Sequence, residues 1–99
     1  MRRVVLKKKT TGGQIQIHID NYTTKEQEIT LYDISGDSAD DANIPPTFVS
    51  EMDGEYTKLW KFTLAAGETF EVVYSGEGGG LIQMQGVSEN LKVEVDLDV

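Results

Sequence analysis

Ninety-nine residues with no cysteine are enough for one domain around a modest core, and they exclude a disulfide framework and a thiolate metal site. The net charge of −8 is unevenly spread. Arg2, Arg3, Lys7, Lys8 and Lys9 are five of the nine bases, so residues 10–99 hold four bases and all seventeen acids, a balance that repels phosphate backbones and argues against direct nucleic-acid binding.

No stretch approaches the roughly 20 apolar residues of a membrane span. The first nine residues place only Val4, Val5 and Leu6 between basic clusters, too few for a secretory signal. The expectation is a single domain over residues 1–99, cytoplasmic and without membrane contact.

Alternation with period two runs through the chain, the signature of strands with one buried face. Val4 and Leu6 begin it among basic residues. Gly12-Gly13 punctuates, and Ile15, Ile17 and Ile19 then alternate with Gln14, Gln16, His18 and Asp20. Asn21 to Lys25 reads as a turn, after which Ile29 and Leu31 resume the apolar face while Tyr32 and Ile34 fall on the other. That switch predicts either a bulge or a strand covered on both sides.

Residues 35–57 break the pattern with six acids, no base, Pro45-Pro46 and the turn Met52-Asp53-Gly54-Glu55. They read as a long loop with a short strand near residues 47–50 that supplies Phe48 or Val49 to the core. Trp60, Phe62 and Leu64 alternate next, Ala65-Ala66-Gly67-Glu68 turns the chain, and Phe70, Val72 and Tyr74 alternate back. A glycine-rich turn at residues 76–80, a mixed strand over residues 81–85 and a turn at residues 87–90 follow. Leu91, Val93, Val95 and Leu97 close the chain with Lys92, Glu94, Asp96 and Asp98 facing water. No segment keeps a helical period, so the fold class is all-β, an immunoglobulin-like sandwich of about seven antiparallel strands, with a small barrel as the alternative.

Nothing here assembles catalytic chemistry. His18, the one histidine, lies on a polar strand face with no partner that the sequence identifies, and reads as a solvent-facing residue. Asp37-Ser38-Ala39-Asp40-Asp41 lacks the ligand spacing, glycine and terminal glutamate of a calcium loop and reads as a solvated acidic segment. Residues 76–80 lead into a strand rather than a helix, so they are a turn and no phosphate cradle. Asn21-Tyr22-Thr23 matches a glycosylation acceptor, a pattern with meaning only in an exported protein. No cofactor or metal is expected.

Two candidate interaction regions remain. Phe48, Met52 and Tyr56 would form a protein-binding patch if their acidic segment leaves them exposed. Lys7, Lys8 and Lys9 could meet an acidic partner, although lysines also protect an edge strand.

The run Trp60 to Tyr74 (Trp-Lys-Phe-Thr-Leu-Ala-Ala-Gly-Glu-Thr-Phe-Glu-Val-Val-Tyr), with Gly86-Val87-Ser88-Glu89-Asn90-Leu91-Lys92-Val93-Glu94-Val95 and the strands from Ile15 to Ile34, resembles the small immunoglobulin-like domain at the C-terminus of the B subunit of archaeal DNA topoisomerase VI. The resemblance implies a module of interaction, and it carries over no ATPase or strand-passage residue, because the regions that hold them are not in this sequence. The expected function is a non-enzymatic accessory module with a protein partner. The alternative is an exported cell-surface or carbohydrate-binding sandwich. No residue pattern sets an oligomeric state.

Overall fold

A computed structural model describes residues 3–86 in full and residues 91–97 as backbone. The turn expected at residues 87–90 and the facing expected of the side chains from Leu91 to Asp98 lie outside the described residues. The strands are β1 (Val4–Thr11), β2 (Gln14–Asn21), β3 (Gln27–Ser35), β4 (Phe48–Met52), β5 (Glu55–Leu64), β6 (Thr69–Ser75), β7 (Leu81–Gln85) and β8 (Leu91–Leu97). They form two four-stranded sheets, ordered β6-β2-β1-β8 and β4-β5-β3-β7, packed as a sandwich with no closed barrel. The pairings are antiparallel except that of β1 with β8, which is parallel.

Alternation places the core as its period requires. Val4 and Leu6 of β1, Ile15, Ile17 and Ile19 of β2, and Val72 and Tyr74 of β6 meet Ile29 and Leu31 of β3, Trp60 and Leu64 of β5, and Met84 of β7. Each fully buried aliphatic side chain contributes about 1.5–3 kcal/mol relative to exposure. Trp60 stacks on Tyr74 at 6.3 Å between ring centroids, tying β5 to β6 across the sandwich. Phe62 and Phe70, only partly buried, stack at 3.9 Å.

Three expectations about the strands change. β1 is no edge, because it lies between β2 and β8, so its lysines do not protect an open ladder. β3 keeps one register along its whole pairing with β5, so the apolar switch is neither a bulge nor a strand buried on both faces. Its inward row is Gln27, Ile29, Leu31, Asp33 and Ser35, all buried, while Tyr32 and Ile34 lie half-buried on the outer face. The inward face simply turns polar.

The third change concerns residues 35–57. Only residues 36–47 form a loop, and Met52-Asp53-Gly54-Glu55 joins β4 to β5 as a hairpin. Asp53 and Gly54 have φ of 52° and 80°, the pair of positive values that a two-residue turn of type I′ demands and that Asp-Gly tolerates. Phe48 and Val49 stay out of the core, at 59% and 44% exposed, on an edge hairpin with no described element packed over them.

Candidate functional site

The sequence puts two lysines and an aspartate at inward positions, and the fold brings them together. Asp33 and Lys58 are direct cross-strand partners on β3 and β5, while Lys8 and Tyr74 reach across from β1 and β6. Lys8 Nζ donates to Asp33 Oδ1 at 3.0 Å and to the Gly79 carbonyl at 3.3 Å. The Tyr74 hydroxyl donates to Asp33 Oδ2, with Lys58 Nζ at 3.9 Å from the same oxygen. Lys58 also donates to Ser35 Oγ at 2.8 Å and to the Asp37 carbonyl, and it lies over the Tyr74 ring. Burial pulls the Lys58 ammonium below the usual lysine range, against the opposing pull of Asp33 and Asp37. Burial and the Asp33 charge push the Tyr74 phenol well above the usual tyrosine value, so it stays a donor. With each charge paired and hydrogen-bonded, this cluster is a knot between the two sheets.

From the knot the chain runs out into residues 36–47, which cross to the first sheet. The carboxylate of Asp37 accepts from the Glu77 and Gly78 amides at 3.0 and 2.9 Å, anchoring the glycine-rich turn. Asp41 accepts from the Ser75 amide at 3.0 Å, and that bond with the Ser75 hydroxyl holds its carboxyl below the ordinary value. Asn43 accepts from the Val73 amide at 2.7 Å and donates its own amide to the Val73 carbonyl at 3.2 Å. Trp60 Nε1 donates to the Ile44 carbonyl at 2.8 Å. Asp41 and Asn43 therefore line the edge of β6. Among the described residues no group of three or more His, Cys, Asp or Glu is placed to hold a metal ion.

The outer face of the second sheet is where apolar surface meets solvent. Register sets Phe48, Leu59, Tyr32 and Gln83 in one row across β4, β5, β3 and β7, and Ser50, Thr57, Ile34 and Leu81 in the next. Phe48 and Leu81 are more than half exposed, and Met52, one step further along β4, is 76% exposed. Tyr32, Ile34 and Leu59 fill the middle, half-buried. This is a mixed aromatic and aliphatic surface of the kind found in the cores of protein interfaces.

Among the expected interaction residues, Phe48 and Met52 belong to this face. Tyr56 does not, because it pairs with Glu51 and faces the other side of the hairpin, half-buried, its phenol raised by the Glu51 charge. Lys7 and Lys9 are exposed on β1. Lys8 is corrected: at 2% exposed and bound to Asp33 it is a core residue and unavailable to a partner. Strand parity alone separates it from its neighbours.

His18 lies on the polar face as expected, but it is half-buried and partnered, since Nδ1 lies 3.2 Å from Glu71 and Nε2 3.1 Å from Asp20. The two carboxylates contact opposite ring nitrogens and cannot converge with the imidazole on one ligand. The acceptor pattern at Asn21 is structural: Asn21 is buried, and its amide donates to the carbonyls of Lys25, Leu64 and Ala65 at 2.8, 3.0 and 3.1 Å. A glycan there would replace one of the two Nδ2 hydrogens that serve these three carbonyls, at a buried nitrogen. Tyr32 and Ile34 were legible as candidates only as the apolar outer positions of β3, a signal that also fits a strand covered on both sides, and nothing in the sequence of β5 or β7 marked Leu59 or Leu81.

A sequence profile of the C-terminal domain of the B subunit of type 2 DNA topoisomerase 6 matches residues 1–94. The chain belongs to that family. No curated protein matches it. Among solved structures it is similar to the GH20 exo-β-N-acetylglucosaminidase of Vibrio harveyi. An inactive mutant aligns with TM-score 0.54 and 14% identity, and the complex with N-acetylglucosamine with 0.55 and 13%. In both cases the alignment covers 98% of this chain and 18% of the enzyme, so the chain spans about a fifth of those structures. At that identity the likeness concerns the sandwich fold alone.

Proposed function

We propose that this domain is a non-enzymatic accessory module of the archaeal cytoplasm that acts by protein contact. Its docking surface is the outer face of the second sheet, and its partner is a component of the topoisomerase VI assembly. One observation carries this reading: the contiguous row of Phe48, Leu59 and Tyr32, with Ile34, Leu81 and Met52 beside it, on a face that no other described element covers. Family membership supplies the class of partner, and the acidic body disfavours direct contact with DNA.

The test mixes the purified domain with the subunits of topoisomerase VI from the same organism and reads complex formation by sedimentation. Phe48→Asp and Leu81→Asp, both on exposed positions, should abolish the complex while leaving the melting temperature unchanged. Failure of the wild-type domain to bind any of those subunits, or binding indifferent to both substitutions, overturns the reading.

A further inference from the structure

The sandwich treats two of its edges differently. Asp41 and Asn43 occupy the ladder positions beside β6, so the Val73 amide and carbonyl and the Ser75 amide on that edge are already bonded. No described element lies across the outer edge of β4, and all five of its residues are exposed. Phe-Val-Ser-Glu-Met contains neither lysine nor proline, and its single charge, Glu51, is the one edge-blunting residue the strand carries. From this contrast we infer that β4 pairs with β4 of a second copy, antiparallel about a two-fold axis through Ser50, so that the two second sheets become one continuous sheet.

The hydrogen-bonding phase of the hairpin favours this register. Met52 and Glu55 flank a two-residue turn and so form a hydrogen-bonded pair. Bonds to β5 then recur at every second residue, which includes Ser50, and the peptide groups of Val49 and Glu51 point to the open side. With the axis at Ser50, Val49 stands opposite the partner's Glu51 and Glu51 opposite the partner's Val49, so the groups that lack partners meet each other.

The side chains agree. Phe48 faces the partner's Met52 on the outer surface, a sulfur–aromatic contact made twice by symmetry. The small Ser50 on the axis lets the strands close, and no carboxylate faces another. Moving the axis to Glu51 would set two carboxylates face to face, which is destabilising. Moving it to Val49 would set Glu51 opposite the partner's Thr47, whose N–H is already donated to the Leu59 carbonyl at 2.7 Å. One strand edge per copy is a small contact, and each copy carries a net charge of −8, so the dimer is weak and tightens as salt screens that repulsion.

Sedimentation equilibrium of the purified chain across a concentration series tests this with no other partner present, and so stands apart from the docking reading. The wild type should show a reversible monomer–dimer equilibrium that strengthens with salt. Ser50→Lys and Ser50→Glu each place a charge against its own copy on the axis. Each alone should weaken self-association at least several-fold with an unchanged melting temperature, and an equimolar mixture should recover association as a heterodimer. The inference is overturned if the wild type stays monomeric up to its solubility limit, or if either variant alone associates as the wild type does. It is equally overturned if the dimer survives at Ser50 but is lost in Gln83→Lys, which would assign the contact to β7.

Discussion

Replacing Asp33 by alanine removes the one carboxylate on which Lys8, Lys58 and Tyr74 converge at the centre of the sandwich. Lys8 would keep only the Gly79 carbonyl, at 3.3 Å, while Lys58 would keep Ser35 and the Asp37 carbonyl. Leaving a buried charge without its counter-ion costs about 3–5 kcal/mol. The Tyr74 hydroxyl, stripped of its acceptor, adds about 1–3 kcal/mol. Because Lys58 retains partners, the sum sits near the lower ends of these ranges, about 4 kcal/mol, a large share of the roughly 5–15 kcal/mol typical of a domain. Urea titration followed by Trp60 fluorescence should show a much lower midpoint with an unchanged slope. The joint replacement Lys8→Met, Asp33→Leu and Lys58→Met, which removes every charge at once, should recover most of the loss, since well-packed apolar groups often match or exceed a buried ionic cluster. An Asp33→Ala midpoint within about 1 kcal/mol of wild type would refute the view that this knot holds the sheets together.

Three further outcomes follow from the same geometry. The Tyr74 phenol is raised in the fold, so its stabilising contribution is complete below the unfolded value of 10.0 and is lost as pH rises above it; thermal melts of Tyr74→Phe should show a flatter alkaline loss than wild type. The Asp41 carboxyl is lowered, so its contribution is present above 3.8 and is lost as pH falls through the lower folded value. Asp41→Asn should shrink that acid-side loss, and weakened acceptance from Ser75 should speed amide exchange at the β6 edge, measured by hydrogen exchange. Gly80 has φ of 74° and passes so close to β3 that an added Cβ would lie 2.0 Å from the Ile34 carbonyl oxygen; Gly80→Ala should cost more than about 1 kcal/mol by urea titration, and a neutral result would mean the turn can relax.

Much of this fold is written in local pattern. The alternation of Ile15, Ile17 and Ile19 makes β2 a strand with one buried face whatever its neighbours are, and Trp60, Val72 and Tyr74 declare their strands in the same way. Family resemblance is legible from the same spacing together with the Gly67-Glu68 turn. The Asp53-Gly54 turn is visible too, and so is a short strand before it near residues 47–50, but not the continuation of this strand to Met52 as one arm of a hairpin, nor that Phe48 and Val49 stay outside the core.

What tertiary structure decided is the fate of polar groups at inward positions and of apolar groups at outward ones. Lys8, Asp33 and Lys58 lie on three strands far apart in sequence, and nothing in any one strand tells a buried lysine from a solvated one. Only the closing of the two sheets supplies each charge with its opposite and makes burial tolerable. The reverse holds for Phe48, Tyr32 and Leu81, which alternation marks as apolar but cannot assign to core or surface. Composition and period determined that this chain is all-β, built from strands with one buried face. Strand order and register, which depend on long-range pairing, decided that its charges form a knot inside and its spare apolar surface a face outside.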